Sequence, residues 1–270
     1  MEILFSSFDI TAWSLFLTLG ALVGIVAGLF GVGGGLIIVP VLIWTLPCVG
    51  VERIHATHIA VGTSLATIVV TSIAAVRAHQ RRGAVLWRKV GLLTPGILVG
   101  AWLGGVVAGL LQGEWLQRIY AGFAILVGLH LLVQAESQRN LSIKHWLLAL
   151  AGLGIGVISA LVGIGGGTMT VPLLNATGVE MRKAVATSSA CGLPIALAGA
   201  LSFMVMGWSV SGLPTGSSGY VYWPVVLCIV LTSSLFAPLG AALAHRLPGA
   251  RLRQVFALFL LLVGGRLLLG

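Results

Sequence analysis

Charged residues are scarce in this chain of 270 residues, and acidic residues are the scarcest. Charged residues make up 8% of the sequence and hydrophobic residues 58%, while Asp and Glu together number 6. So few charges cannot cover a water-facing domain. A transmembrane helix requires about 20 apolar residues, and such runs recur from residue 11 to residue 266. The composition therefore predicts an all-α, polytopic integral membrane protein.

The shortage of acids also restricts the function. All six lie in predicted loops or at the ends of predicted spans, which disfavours an ion pump with a carboxylate at the membrane midplane. Nor can a nucleophile, a base and an orienting acid be assembled at membrane depth, so we predict that the protein is not an enzyme. Ion coupling through backbone or hydroxyl oxygens stays open. The acids are Glu2, Asp9, Glu52, Glu114, Glu136 and Glu180.

Cysteine is rarer still, and the N-terminus lacks the basic segment of a signal peptide. The three cysteines, Cys48, Cys191 and Cys228, have neither metal-ligand spacing nor a disulfide framework. We therefore predict no metal site and no cofactor. The first helix is expected to remain in the mature protein. The net charge of +9 collects in short loops, and the positive-inside rule explains it without a nucleic-acid partner.

What the chain does contain is an internal duplication. Residues 31–40 read GVGGGLIIVP, and residues 163–172 read GIGGGTMTVP, with six of ten positions identical. Further on, Ala-Val-x-Thr-Ser occurs at residues 60–64 and again at residues 184–188. Later matches, such as Gly128 with Gly264, lie 136 residues apart. We predict two repeats, residues 1–140 and 141–270, that together form one transmembrane domain.

Each repeat is predicted to contain the same five helices in the same order. A long apolar helix is followed by a glycine break, a short apolar helix and three spans. The break pair is either a re-entrant hairpin or two tilted crossings, and the sequence leaves both open. The predicted helices cover residues 11–30, 36–44, 54–76, 90–111 and 116–134 in the first repeat, and 145–162, 168–175, 183–206, 220–244 and 252–269 in the second.

Equivalent loops of the two repeats differ in net positive charge, and the difference reverses from one loop to the next. Residues 77–89 contain five cations and no acid, whereas their counterpart, residues 207–219, is uncharged. In the next loop Glu114 and Arg118 cancel, but three arginines between residues 246 and 253 are unopposed. If positive loops face the cytoplasm, the repeats are inverted with respect to the membrane. Both termini are then expected outside.

Two equivalent helix breaks predict a ligand site. A break in hydrocarbon persists only when it is buried in protein or lines a wet cavity. Glycine permits positive φ and close approach of a ligand, and the helix that follows presents free N–H groups to an anion. The alternative is a kink that only packs helices. Nucleotide binding is excluded because neither copy completes G-x-G-x-x-G or carries a P-loop lysine. The candidate glycines are Gly33, Gly34, Gly35, Gly165, Gly166 and Gly167.

Hydroxyl groups follow each break. The pairs Thr63-Ser64 and Thr187-Ser188 can donate to an oxyanion without placing a charge in the membrane. The alternative is bonding back to a carbonyl one turn earlier. Thr168, at the start of the second short helix, is a candidate for capping that helix or contacting the ligand.

A cationic or imidazole residue precedes each of these Thr-Ser pairs. His58 lies five residues before Thr63, and Arg182 lies five residues before Thr187. In an inverted pair we expect them near opposite mouths of one path, where they would attract anions. The alternative is that they are ordinary charged residues at helix ends.

The double occurrence of Gly-x-Gly-Gly-Gly with a following Val-Pro, and of Ala-Val-x-Thr-Ser, resembles the sulfite exporter TauE/SafE family. The resemblance implies a bacterial inner-membrane permease for sulfite, sulfoacetate or another sulfur-containing anion. We expect export of such an anion along a path between the repeats, with the anion and the lipid bilayer as partners. Uptake of a reduced anion such as thiosulfate, with Cys191 near the sulfur, and a non-transporting membrane scaffold remain alternatives. Flux direction and homo-oligomerisation stay open.

Overall fold

The helices follow the predicted order in both repeats. The computed structural model describes residues 10–30, 34–133, 145–244 and 249–269. Ten α-helices lie within these ranges: α1 Ile10–Phe30, α2 Gly35–Thr45, α3 Arg53–Gln80, α4 Trp87–Leu110, α5 Gly113–Val133, α6 His145–Val162, α7 Gly167–Ala176, α8 Met181–Gly207, α9 Trp223–Ala244 and α10 Gly249–Leu269.

Five helices are long and apolar enough to cross a membrane: α3, α4, α5, α8 and residues Trp223–Gly240 of α9. This confirms the prediction of an all-α, polytopic membrane protein. The helices after the breaks are much shorter, with 11 residues in α2 and 10 in α7. At 1.5 Å per residue each covers about 15 Å, roughly half of the hydrocarbon core. Neither can cross alone, which favours the re-entrant alternative.

One predicted boundary is wrong at the start of α9. Residues 220–222 were expected to begin the span, but they lie in a small antiparallel hairpin of strands β1 (Ser217–Ser218) and β2 (Val221–Tyr222). Gly219, with φ of 57°, permits the tight turn between the strands. The hairpin places backbone N–H groups at the head of α9.

Glycines allow the helices of different repeats to pack backbone to backbone. A methyl group added at Gly24 of α1 would lie 2.6 Å from the Ser233 Cα of α9. One added at Gly156 of α6 would lie 2.5 Å from the Ile97 carbonyl oxygen of α4. Small residues permit this close approach in lipid. The first helix of each repeat therefore packs on the fourth helix of the other.

The third helices of the repeats, α3 and α8, pack against each other in opposite directions. Gly62 lies beside Phe203, and ten residues later Ser72 lies beside Gly192. The residue number rises along α3 while that of its neighbour in α8 falls, so the two helices are antiparallel.

The fifth helices, α5 and α10, are related in the same way, and their contacts are reciprocal. Gly128 packs against the Ala257 carbonyl oxygen, while Gly264 packs against the Ala121 carbonyl oxygen. Each pair is the other shifted by the repeat spacing of 136. In addition, Gln117 Nε2 donates to the Leu267 carbonyl oxygen at 2.9 Å, which again makes the two helices antiparallel.

Two glycines of α6 provide a matched test of this packing. Gly156 faces the α4 backbone, whereas an added methyl group at Gly154 would meet nothing within 4 Å. We expect Gly156→Ala to destabilise the protein by about 1–3 kcal/mol through overpacking and Gly154→Ala to leave stability unchanged or slightly raised. Thermal unfolding in detergent, followed by size-exclusion fluorescence, measures both. Equal effects would contradict the packing of α4 on α6.

Candidate functional site

Each short helix begins directly after a glycine with positive φ. Gly34 and Gly166, which are equivalent in the repeats, both have φ of 74° and stand directly before α2 and α7. Gly163, which follows α6, also has positive φ, at 73°. Glycine adopts this region without steric cost. The predicted Gly33 lies outside the described residues.

The breaks meet in the interior of the protein. A methyl group added at Gly35 would lie 2.5 Å from the Gly163 carbonyl oxygen, and one added at Gly192 would lie 2.8 Å from the Gly165 carbonyl oxygen. Ser64 Oγ donates to the same Gly163 oxygen at 2.8 Å. The backbone groups released by the second break therefore face protein rather than lipid, as the hydrocarbon environment requires.

Thr63 and Thr187 each connect their helix to the other repeat. Thr63 Oγ1 accepts the backbone N–H of Tyr222, and Thr187 Oγ1 accepts that of Leu86, both at 3.1 Å. Leu86 and Tyr222 stand directly before α4 and α9. Their N–H groups have no acceptor within those helices, so the two threonines supply one. In both bonds the threonine oxygen is the acceptor.

Three hydroxyl oxygens near the second break are buried and have no hydrogen-bond partner among the described residues: Thr168 Oγ1, Thr170 Oγ1 and Ser188 Oγ. Thr170 is fully buried, and its oxygen would lie 3.3 Å from a methyl group at Gly166. Thr168 and Ser188 were predicted, whereas Thr170 was missed. The sequence feature that could have identified Thr170 is that a threonine occupies the position of Ile38 in the first repeat. An unsatisfied buried hydroxyl is costly, which marks these groups as candidate ligand donors.

His58 and Arg182 do not occupy equivalent environments. Arg182 is exposed at the start of α8. His58 is 4% exposed, its ring stacks on Tyr220 at 4.8 Å, and its Nε2 lies 3.0 Å from the Ala108 carbonyl oxygen and 3.1 Å from that of Leu111. A ring enclosed at the end of α4 cannot attract anions from solvent, so we do not retain the path-mouth role for His58.

A tyrosine that the sequence analysis did not single out secures the first short helix. Pro40 has no N–H, so it leaves the carbonyl of Leu36, four residues earlier, without its helical donor. Tyr120 Oη, fully buried in α5, donates to that carbonyl oxygen at 2.7 Å. The sequence feature that could have identified Tyr120 is a phenol hydroxyl within an otherwise apolar span. The bond attaches the first turn of α2 to α5.

The other predicted chemistry is distributed as follows. Cys191 is fully buried in an apolar cluster that contains side chains from both halves of the chain, and no described contact favours it as a sulfur ligand. In the described part of the chain, the acids Glu52, Glu114 and Glu180 stand directly before a helix or in its first turn. The described spans therefore carry no carboxylate at their centre.

A helical membrane bundle interrupted by buried helix breaks is the architecture of secondary membrane transporters. The model of the sulfite exporter TauE/SafE family matches residues 16–267. The chain belongs to this family of membrane transporters, and it is not an enzyme.

Relatives match over nearly the whole chain. A "Probable membrane transporter protein" of Haemophilus influenzae is 37% identical over 251 residues, covering 92% of this chain and 95% of the relative. A protein of the same description from Methanocaldococcus jannaschii is 26% identical and covers 93% of both chains. One from Bacillus subtilis is 25% identical, covering 94% of this chain and 96% of the relative. No solved structure matches the chain.

The threonine connections between the repeats can be tested by removing the acceptor oxygen. We expect Thr63→Val and Thr187→Val each to lower stability by about 0.5–1.5 kcal/mol, because a backbone N–H at the head of a span loses its partner. Thr94→Val is the control, since Thr94 only bonds back to Val90 of its own helix. Thermal unfolding in detergent gives the comparison, and losses no larger than that of the control would argue against the connection.

Proposed function

We propose that the protein exports a small sulfur-containing anion, sulfite or an organosulfonate such as sulfoacetate, along a path between two inverted repeats. The repeats are residues 1–140 and 141–270. The observation that carries the proposal is the meeting of the two breaks, Gly35 against Gly163, beside buried hydroxyls and helix N-termini. Neutral donors and amide dipoles of this kind suit an anion.

Inversion is supported by the directions of equivalent helices. A repeat related by translation or by an axis normal to the membrane would make α3 and α8 parallel, and likewise α5 and α10. Both pairs are antiparallel, and the reciprocal contacts of Gly128 and Gly264 are what a two-fold axis in the membrane plane would produce.

The distribution of charge supports the same arrangement and gives it an orientation. The bond from Leu86 to Thr187 brings the start of α8 to the end of the molecule where α3 ends and α4 begins. Among the described residues, Glu180 is the only acid at this end, and it pairs with Lys183 at 3.9 Å. The positive-inside rule assigns the end to the cytoplasm and both termini to the outside. The cations there include Arg77, Arg81, Arg82, Arg88, Lys89, Arg182 and Lys183.

Export in this orientation needs no carboxylate relay. The membrane potential favours the exit of an anion from the cytoplasm by about 2.3 kcal/mol per charge per 100 mV. The exposed Arg182 would raise the local anion concentration at the cytoplasmic end. The hydroxyls of Thr63, Thr187 and Ser188 would replace part of the hydration shell inside the path, whereas the Ser64 proton is already donated to the Gly163 carbonyl oxygen.

Accessibility labelling tests the inverted topology. Cys48 is replaced by serine, and a single cysteine is placed at Arg82 or Ser211, which lie in equivalent connections. We expect a membrane-impermeant maleimide to label Ser211→Cys in intact spheroplasts and Arg82→Cys only after lysis. Labelling of both from the same side would contradict the inversion.

Flux through proteoliposomes tests the transport role of the breaks. We expect potential-driven efflux of sulfite or sulfoacetate by the wild type and its loss in Gly34→Ala and Gly166→Ala, because an added side chain would shift the backbone where the two breaks meet. Backbone strain alone costs about 1–2 kcal/mol at positive φ. Gly50→Ala is the control, because Gly50 also has positive φ, at 86°, with nothing within 4 Å of an added methyl group.

Each alternative function predicts a different outcome of the flux experiment. Thiosulfate accumulation with no sulfite or sulfonate efflux would replace export by uptake. Correctly inserted wild type that moves none of these anions, together with loss of folding in both break variants, would favour a packing or scaffold role.

A further inference from the structure

Both breaks place a glycine with positive φ before a short helix, but the side chains differ in polarity at two positions. Thr168 and Thr170 of α7 stand where α2 has Leu36 and Ile38. All other differences within the ten-residue motif exchange one apolar residue for another. The second break therefore has two hydroxyls that the first lacks.

These two hydroxyls behave unlike other threonines of the protein. A helical threonine commonly donates to a carbonyl of the preceding turn. Thr170 has such a carbonyl at Gly166, yet neither its hydroxyl nor that of Thr168 has a partner among the described residues. Thr170 is 0% exposed. Six threonines elsewhere in the bundle do bond back in this way: Thr18, Thr45, Thr67, Thr71, Thr94 and Thr232.

The start of α2 is closed to a ligand. Its residues from Gly35 to Pro40 are all buried. Gly35 packs on the Gly163 carbonyl oxygen, and the Leu36 carbonyl is occupied by the Tyr120 hydroxyl at 2.7 Å. Among the described residues, the start of α2 therefore presents no accessible group to an anion.

The start of α7 is not closed in this way. The first turn of α7 lacks the bond by which Tyr120 attaches α2 to α5, because the residue equivalent to Tyr120 is Phe256, which has no hydroxyl. Gly167 and Thr168 are partly accessible. The N-cap residue, Gly166, offers no side-chain cap to the first amides of α7.

We propose that the anion is held at the start of α7 alone, by the first amides of that helix and the hydroxyls of Thr168 and Thr170, while α2 acts as a fixed packing element. This assignment rests on the proposed anion transport, and it places the binding site at the second break only. Side chains of a helix lean toward its N-terminus, so the two hydroxyls flank the helix axis from different sides. An oxyanion with several acceptor oxygens on one centre, such as the head of sulfite or a sulfonate, can accept hydrogen bonds from donors that approach it from different sides.

Valine substitutions that keep the shape and remove the hydroxyl test the assignment. In proteoliposomes loaded with radiolabelled sulfite or sulfoacetate, we expect Thr168→Val and Thr170→Val each to raise KM about tenfold, and the double variant about a hundredfold. Thr170→Ser keeps the donor and should stay within about twofold of wild type. Thr94→Val, which removes a back-bonded hydroxyl, is the matched control. The stabilisation of each purified variant by added sulfite, read as a shift of Tm, supplies a measurement that does not depend on transport.

The outcomes separate this assignment from the proposed function. Wild-type efflux with an unchanged KM and an unchanged sulfite-induced Tm shift in the double valine variant would overturn the site at the second break and leave anion export standing. A folded wild type that neither binds nor moves sulfite or sulfoacetate would overturn both.

Discussion

The structure depends on one constraint, which is that backbone polar groups released inside a membrane must find partners in the protein. Each repeat interrupts a helix at a glycine with positive φ, Gly34 or Gly166, and each interruption strands amides and carbonyls that lipid cannot satisfy. The second break is covered by the other repeat, through Ser64 on the Gly163 carbonyl. The second break is therefore satisfied by a side chain from the other half of the chain.

The same constraint explains how the repeats are joined. Thr63 and Thr187 each supply an acceptor to the backbone at the head of a span in the opposite repeat, and glycines bring the first and fourth helices of different repeats into backbone contact. These connections form a framework around the breaks. Within it the first six residues of α2 are buried, whereas two hydroxyls of α7 have no partner among the described residues. The anion site proposed above depends on this difference between the two halves.

Much of the fold could be predicted from the sequence, because the lengths of the apolar runs and the positions of the glycines determine where helices begin and end in a membrane. The order of helices and most boundaries agree with the structure. Residues 220–222 were misplaced because Tyr, Val and Tyr are apolar enough to extend a span, and nothing local distinguishes a hairpin strand from a first turn. The buried position of His58 was missed because its partners, Ala108 and Leu111, lie in a distant helix end. Thr170 was missed because an isolated threonine gives no sign that its hydroxyl lacks a back-bond.

The central claim is that an oxyanion binds where α7 begins. A structure determined from crystals soaked in selenite, the heavier analogue of sulfite, would locate the anion directly by anomalous scattering. The account predicts a single selenium site within hydrogen-bonding reach of the Thr168 and Thr170 hydroxyls and of the first amides of α7. A selenium site at the start of α2, or only on the exposed arginines of the 77–89 connection, would contradict it.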